Sequence, residues 1–143
     1  MIRLANPDDT PIIAEFYADI RQDTVPSIHD IGSIEWYITN RLISRGSSYV
    51  YTENNEILAW LDVHDGWVDQ LYCHRQHIGK GIGKRLLDFA KTQSPNGLQL
   101  WTFQINHGAR KFYAREWFAE VELTDGQSNE EKQPDVRMVW SPQ

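Results

Sequence analysis

The chain has 143 residues, 41% of them hydrophobic and 24% charged, and its formal net charge is −6. This length predicts one domain, residues 1–143, with a sizeable core, and the acidic balance argues against nucleic-acid binding, which usually shows a basic patch. The sequence contains no apolar run of about 18 residues, the length needed to span a membrane, and the first residues lack a signal-peptide pattern. We therefore expect a cytoplasmic protein whose partners are neither nucleic acids nor membranes.

Hydrophobic periodicity and turn signals divide the chain into alternating strands and helices. Asn6-Pro7-Asp8-Asp9 supplies an N-cap candidate, a proline at the first helical position and acids in the first turn, which predicts a helix start. Gly46 closes a second helix, and Glu53 to Glu56 forms a hairpin turn. In the first half of the chain, the predicted elements are a strand at 2–5, a helix that starts within 6–9, a helix over 31–44, and strands at 48–52, 57–63 and 67–73. In the second half, they are a helix at 80–93, a strand at 98–103, a helix at 106–116, and strands at 118–123 and 136–140.

This order predicts an α/β fold with one mixed sheet. The strand–helix–strand unit over 67–103 should be parallel and right-handed, whereas the hairpins should pair antiparallel. We therefore expect a central, mostly antiparallel mixed sheet that is flanked by helices on both faces.

The segment over residues 71–87 is the most informative part of the chain. A strand ends, three alternating glycines follow at Gly79, Gly81 and Gly83, and an amphipathic helix begins. Glycines let a ligand approach the backbone closely, and the free amides and dipole of a helix N-terminus favour an anion such as pyrophosphate. Three cationic side chains should add charge to this cradle: Lys80, Lys84 and Arg85.

Two common phosphate motifs do not fit this segment. A P-loop requires a serine or threonine after Gly-Lys, but Arg85 follows Gly83-Lys84, and the position of the first glycine holds Ile78. A dinucleotide fingerprint requires a Gly-x-Gly-x-x-Gly spacing and an acid about 20 residues later, and residues 98–104 contain no acid.

The segment instead resembles the coenzyme A-binding segment of the GNAT superfamily of N-acetyltransferases, which reads Gln/Arg-x-x-Gly-x-Gly/Ala. Gly81 and Gly83 match its last two key positions, while Ile78 replaces its Gln or Arg. The segment over 106–118 is similar to a later helix of that family, with Trp117 in place of a glycine. The residues that match there are Asn106, Ala109, Phe112, Tyr113 and Phe118.

The resemblance implies a GNAT-like fold, acetyl-coenzyme A as co-substrate and a set of coenzyme contacts. In that family the strand before the glycines splays from its neighbour and binds the pantetheine arm, and a backbone N–H of Tyr72 or Cys73 would then stabilise the oxyanion. The expected coenzyme-binding residues are Leu71, Tyr72, Cys73, Ile78, Gly79, Lys80, Gly81, Ile82, Gly83, Lys84, Asn106, Ala109, Phe112 and Tyr113.

The resemblance also makes Tyr113 the candidate general acid, since the family places a tyrosine against the coenzyme sulfur. A phenol is protonated at neutral pH and can protonate a departing thiolate. For the base, strand alternation puts Asp69 on the face of Leu71 and Cys73, so Asp69 is the first candidate. Asp62 and Glu35 are weaker candidates.

The expected function is N-acetyltransfer from acetyl-coenzyme A to an amine by direct attack in a ternary complex. Two other interpretations stay open: a non-catalytic module that binds coenzyme A, and a protein that binds another nucleotide. Cys73 lacks an activating base nearby in sequence and is expected to be structural, and no metal site is predicted. The acceptor should depend on loops 22–33 and 125–135, and homodimer formation is also left open.

Overall fold

The computed structural model describes residues 1–142, which form one seven-stranded mixed sheet with two helices on each face. The strands are β1 (Ile2–Leu4), β2 (Ser48–Glu53), β3 (Glu56–His64), β4 (Trp67–Cys73), β5 (Leu98–Phe103), β6 (Ala119–Leu123) and β7 (Asp135–Trp140). The helices are α1 (Thr10–Arg21), α2 (Ile31–Tyr37), α3 (Ile82–Gln93) and α4 (His107–Arg115). The strand order is β1-β2-β3-β4-β5-β7-β6, and only the β4–β5 pair is parallel within residues 1–142. The predicted α/β class and mixed sheet are confirmed.

The predicted first helix start is confirmed and has a capping box. The Asn6 side chain accepts a hydrogen bond from the Asp8 amide at 2.9 Å, and the Asp9 carboxylate accepts one from the Asn6 amide at 2.8 Å. A 3₁₀ turn over Pro7–Asp9 leads into α1. Burial alone would raise the pKa of Asp9, but the hydrogen bonds that it accepts from Arg3 and the Asn6 amide lower this pKa. The Asp9 carboxylate therefore remains charged at neutral pH.

The second predicted helix is present but is not α-helical throughout. α2 continues as a π-helix over Ile38–Ile43, in which the Ser44 amide donates to the Thr39 carbonyl, five residues earlier, at 3.1 Å. The wider turn lets both Leu42 and Ile43 face the core. Such an insertion does not show in apolar spacing alone, so the prediction of one regular helix over 31–44 was incomplete.

The core consists of two apolar layers on opposite faces of the sheet. α1 and α2 pack on one face around Trp60, and α3 and α4 pack on the other around Leu86 and Leu100. No helix within residues 1–142 is both long and apolar enough to cross a membrane.

β4 carries a β-bulge that changes the orientation of its side chains. Asp62 pairs with Gln70 and Val63 pairs with Val68, so Asp69 is an extra residue opposite β3. The prediction that Asp69 shares the face of Leu71 and Cys73 is therefore wrong, because a bulge interrupts the two-residue alternation. Val68, Leu71 and Cys73 face the α3 side instead.

Candidate active site

The site begins where β4 and β5 separate. Their parallel pairing within residues 1–142 is limited to Trp67 opposite Gln99, so the carboxyl end of β4 has a free edge. The His74 amide donates to the Leu58 carbonyl at 2.8 Å, and the alternation of an antiparallel ladder then directs the backbone of Tyr72 toward β3. The amides of Leu71 and Cys73 consequently face the opening, so of the two predicted oxyanion donors only Cys73 has a free N–H.

A cavity of about 630 Å³ extends from this opening to the N-terminus of α3. Every residue predicted to bind the coenzyme lines it except Lys80. Sequence reasoning missed five lining residues: Ile20, His77, Gly108, Arg115 and Glu116. The spacing of Gly108, Phe112 and Arg115 at i, i+4 and i+7 is a signal that could have found two of these, because such residues share a helix face.

Two of the three glycines have a backbone conformation that favours glycine. Gly81 is the N-cap of α3 with φ at +80°, and Gly79 has φ at +86°, so both use a conformation that side chains disfavour. The first α3 bond runs from the Arg85 amide to the Gly81 carbonyl, which leaves the preceding amides available to an anion. Gly83 has no such conformation, and a Cβ there would lie 3.5 Å from the Phe112 ring, an ordinary van der Waals contact.

The predicted cationic cradle is only partly present. Arg85 donates to the Tyr51 hydroxyl at 2.7 Å and is not a lining residue, so its predicted role was wrong. Lys84 lines the cavity but pairs with Asp88 at 2.9 Å and Glu116 at 3.4 Å. In the part of the chain that the structure describes, Arg115 forms no ion pair, so it is the lining cation that is free to meet a phosphate.

Tyr113 lies on α4 with its ring between Phe112 and Phe118. Its side chain is 8% exposed, and burial raises the pKa of the phenol above its ordinary value, with a further contribution from Tyr72. No buried side-chain polar atom of residues 1–142 lacks a partner, and the Tyr113 hydroxyl has none within the protein, so it must reach the cavity surface. The group is therefore a proton donor held in its neutral form.

Asn106 and Cys73 complete the first cavity. Asn106 lines the cavity and caps α4 through a bond from the Ala109 amide at 3.1 Å, which uses its side-chain oxygen and leaves its NH₂ group to other partners. Cys73 is half-buried, and burial raises the pKa of its thiol despite the nearby Lys80. A raised thiol pKa disfavours the thiolate that a nucleophilic cysteine requires.

The candidate bases lie away from this cavity. The Asp69 carboxylate accepts a hydrogen bond from Arg45 at 3.0 Å, and the same guanidinium nitrogen donates to Asp62 at 2.7 Å. Burial raises the pKa of Asp69, and Arg45 partly opposes this effect. Asp62 is fully buried and also bonds to Ser47 and Ser48. Neither these acids nor Glu35 is a lining residue.

A second cavity of about 490 Å³ lies on the opposite face of β4. Tyr72, which lines the first cavity, packs against Tyr17 at 4.9 Å and Trp60 at 6.2 Å between ring centroids, and both of those rings line the second. The two loops predicted to shape the acceptor site meet here. Arg21 bonds to Glu131 at 3.0 Å, and His29 lies 3.0 Å from Glu130.

Comparison with solved structures shows the same fold in several proteins, acetyltransferases among them. The apo form of YjaB from Escherichia coli superposes with a TM-score of 0.81 at 15% identity, covering 100% of this chain and 98% of that one. A GNAT family acetyltransferase from Bacillus cereus gives 0.77 at 15% identity, covering 100% and 97%. The PaiA N-acetyltransferase from Thermoplasma acidophilum, solved with coenzyme A, gives 0.72 at 18% identity, covering 99% and 98%.

Sequence comparison gives the family directly. No curated protein sequence matches the chain. The sequence model of the acetyltransferase (GNAT) family, however, matches residues 10–117, which span the first helix, the glycine turn and the helix of Tyr113. The chain therefore belongs to the GNAT acetyltransferase family.

Proposed function

We propose that this protein transfers the acetyl group of acetyl-coenzyme A to an amine by direct attack within a ternary complex. The observation that carries the proposal is the pair of cavities that meet at β4. One runs to the free amides of α3, and the other opens between the two acceptor loops. The coenzyme A in the Thermoplasma PaiA structure supports the choice of donor.

The pyrophosphate would bind at the α3 N-terminus, where the amides after Gly81 and the macrodipole favour a dianion. These amides would compensate for Ile78, which is 59% exposed and whose side chain, unlike that of Gln or Arg, cannot donate a hydrogen bond. The Asn106 NH₂ group would bond to the pantetheine arm. The thioester would then lie at the free edge of β4, with its carbonyl oxygen at the Cys73 amide.

The chemistry would proceed in two steps. The amine nitrogen attacks the thioester carbon, and the Cys73 N–H stabilises the oxyanion that develops. The carbon–sulfur bond then breaks, and Tyr113 gives its proton to the departing thiolate. The attacking nitrogen loses its extra proton to water as the amide forms, and the phenol regains a proton from solvent. The acceptor ammonium would lose its proton to water in the open second cavity, because the predicted base, Asp69, is paired with Arg45 outside both cavities.

The rival proposal is a module of the same fold that binds coenzyme A without turnover, and the missing Gln or Arg at Ile78 is the observation that favours it. Two measurements separate the proposals. Calorimetric titration with coenzyme A reports binding, and thiol release from acetyl-coenzyme A with a panel of amines reports transfer. We expect binding and amine-dependent release. Binding without release for every amine would support the rival module, and absence of binding would contradict both.

A further inference from the structure

The floor of the second cavity holds an arginine whose charge is already neutralised. Arg21 is 9% exposed and donates to the Val25 carbonyl at 2.8 Å, to the Tyr17 hydroxyl at 2.7 Å and to Glu131 at 3.0 Å. A buried arginine is the group that would bind the carboxylate of an amino-acid acceptor. Here Glu131 occupies that role, so a substrate carboxylate would meet a carboxylate of the protein.

The rim of the same cavity carries an acid that no strong cation neutralises. Glu130 has 62% of its side chain exposed and lies 3.0 Å from His29. Among residues 1–142 no lysine or arginine pairs with it. Because the Glu130 side chain is mostly exposed and has no lysine or arginine partner in that part of the chain, the rim offers a carboxylate to a positively charged group.

The walls between floor and rim are aromatic. Tyr17, Trp36, Tyr37 and Trp60 all line the cavity. Aromatic faces attract ammonium groups and pack against methylene chains. Arg41 stacks on Trp36 at 5.3 Å but is not a lining residue, so it leaves the cavity itself without a free cation.

We infer that the acceptor is a small diamine: a primary amine joined by an alkyl chain to a second cationic group, with no carboxylate. This inference rests on the proposed function. The reacting amine passes to the opening beside Tyr72, the chain lies against the aromatic walls, and the second cation binds at Glu130. The cavity volume of about 490 Å³ is large enough to admit such a molecule.

The test is calorimetric titration of the protein saturated with coenzyme A, which measures acceptor binding without turnover. The three ligands are cadaverine, lysine and pentylamine, since lysine is cadaverine with a carboxylate and pentylamine is cadaverine without its second amine. We expect cadaverine to bind at least about tenfold more tightly than either. Glu130→Gln should weaken cadaverine about three- to tenfold, as expected for a partly desolvated charge pair, and leave pentylamine unchanged.

The matched control is Glu122→Gln, which removes an acid that pairs with Arg137 and does not line the second cavity. It should leave cadaverine binding unchanged. Equal binding of lysine and cadaverine, no binding of cadaverine, or equal effects of the two substitutions would overturn the inference. Thiol release is measured in parallel. If diamines bind and the binding depends on Glu130, but no thiol is released, the result would contradict catalysis alone. If thiol is released with amines that carry a carboxylate in preference to diamines, the result would contradict the diamine inference alone.

Discussion

Tyr113 combines three properties that a general acid for a thiolate requires. Its hydroxyl reaches the first cavity, its ring is fixed between two phenylalanines, and burial raises the pKa of its phenol. A raised pKa favours the protonated form, so the proton-donating state persists at pH values where an exposed tyrosine would begin to ionise. Cys73, by contrast, is held as a neutral thiol, which suits packing better than nucleophilic attack.

We expect Tyr113→Phe to lower kcat by about 10²-fold or more, the range typical of a lost general acid. The affinity for coenzyme A, measured by calorimetry, should change little because the ring stays in place. Tyr49→Phe is the control, since Tyr49 packs on Phe89 and does not line the cavity. It should retain the parent rate.

The pH dependence provides a second check on this residue. Burial raises the pKa of Tyr113, so this residue should keep its proton up to about pH 10, the ordinary tyrosine value. The parent rate should therefore show no fall below that pH that is due to ionisation of Tyr113. An unchanged kcat in the phenylalanine variant with chemistry rate-limiting would contradict the assignment. An alkaline fall below about pH 10 that this variant abolishes would contradict the raised pKa of Tyr113.

A substitution at Asp69 tests whether this residue is the general base. Its carboxylate pairs with Arg45 and lines neither cavity, so Asp69→Asn should keep kcat within about threefold, a range well below the typical contribution of a general base. The measurement is the pH–rate profile of thiol release. A loss of 10²-fold or more with disappearance of the acidic limb would restore the original prediction that Asp69 is the base.

At the scale of elements, the turn from β4 into α3 carries the proposed phosphate site. Gly81→Asp would place a carboxylate at the α3 N-terminus, and we expect coenzyme A affinity to fall at least about tenfold. Gly46→Asp is the matched control, because Gly46 also has a positive φ, at +76°, and open space around its Cβ position. It should show the same backbone strain and normal coenzyme binding. Parent-like affinity in the Gly81 variant would show that the phosphate binds elsewhere.

The end of α4 contains a Schellman motif with an unusual residue. The Phe118 amide donates to the Tyr113 carbonyl at 3.0 Å and the Trp117 amide to the Ala114 carbonyl at 3.2 Å, the bonding pattern of that motif. Trp117 occupies the position that glycine usually takes, with φ at +74° and its side chain 77% exposed. The departure from the family glycine therefore preserves the turn but strains the backbone.

We expect Trp117→Gly to raise the free energy of unfolding by about 0.5–1 kcal/mol, since the left-handed strain of about 1–2 kcal/mol is only partly offset by the greater chain entropy of glycine. Chemical denaturation measures the change. Trp117→Ala, which removes the indole but keeps a Cβ, is the control and should give no comparable gain. Equal stabilisation by both substitutions would instead assign the effect to the exposed indole.

Local signals predicted the elements well, because capping residues, turn glycines and apolar spacing act within a few positions of each other. The cap at Asn6, the hairpin at 53–56 and β5 at Leu98–Phe103 are examples. The bulge at Asp69 and the turn of Arg85 toward Tyr51 depend on partners that are distant in sequence. The second cavity likewise requires loops about 110 residues apart to meet, as the Arg21–Glu131 bond shows, so its chemistry could not be predicted from either loop alone.

For the whole molecule, the central claim is that the amine and the thioester meet directly across β4. The divergence of β4 from β5 opens the sheet between two cavities that lie on opposite faces. A direct route requires both substrates to be bound together, whereas an acyl-enzyme route would release thiol before the amine binds.

Initial-rate kinetics with both substrates varied test this claim most directly. The account predicts intersecting double-reciprocal lines and one acetylated amine for each thiol released, with Cys73→Ala retaining substantial activity. Parallel lines, the pattern of ping-pong kinetics, together with acetyl-Cys73 detected by mass spectrometry, would contradict it.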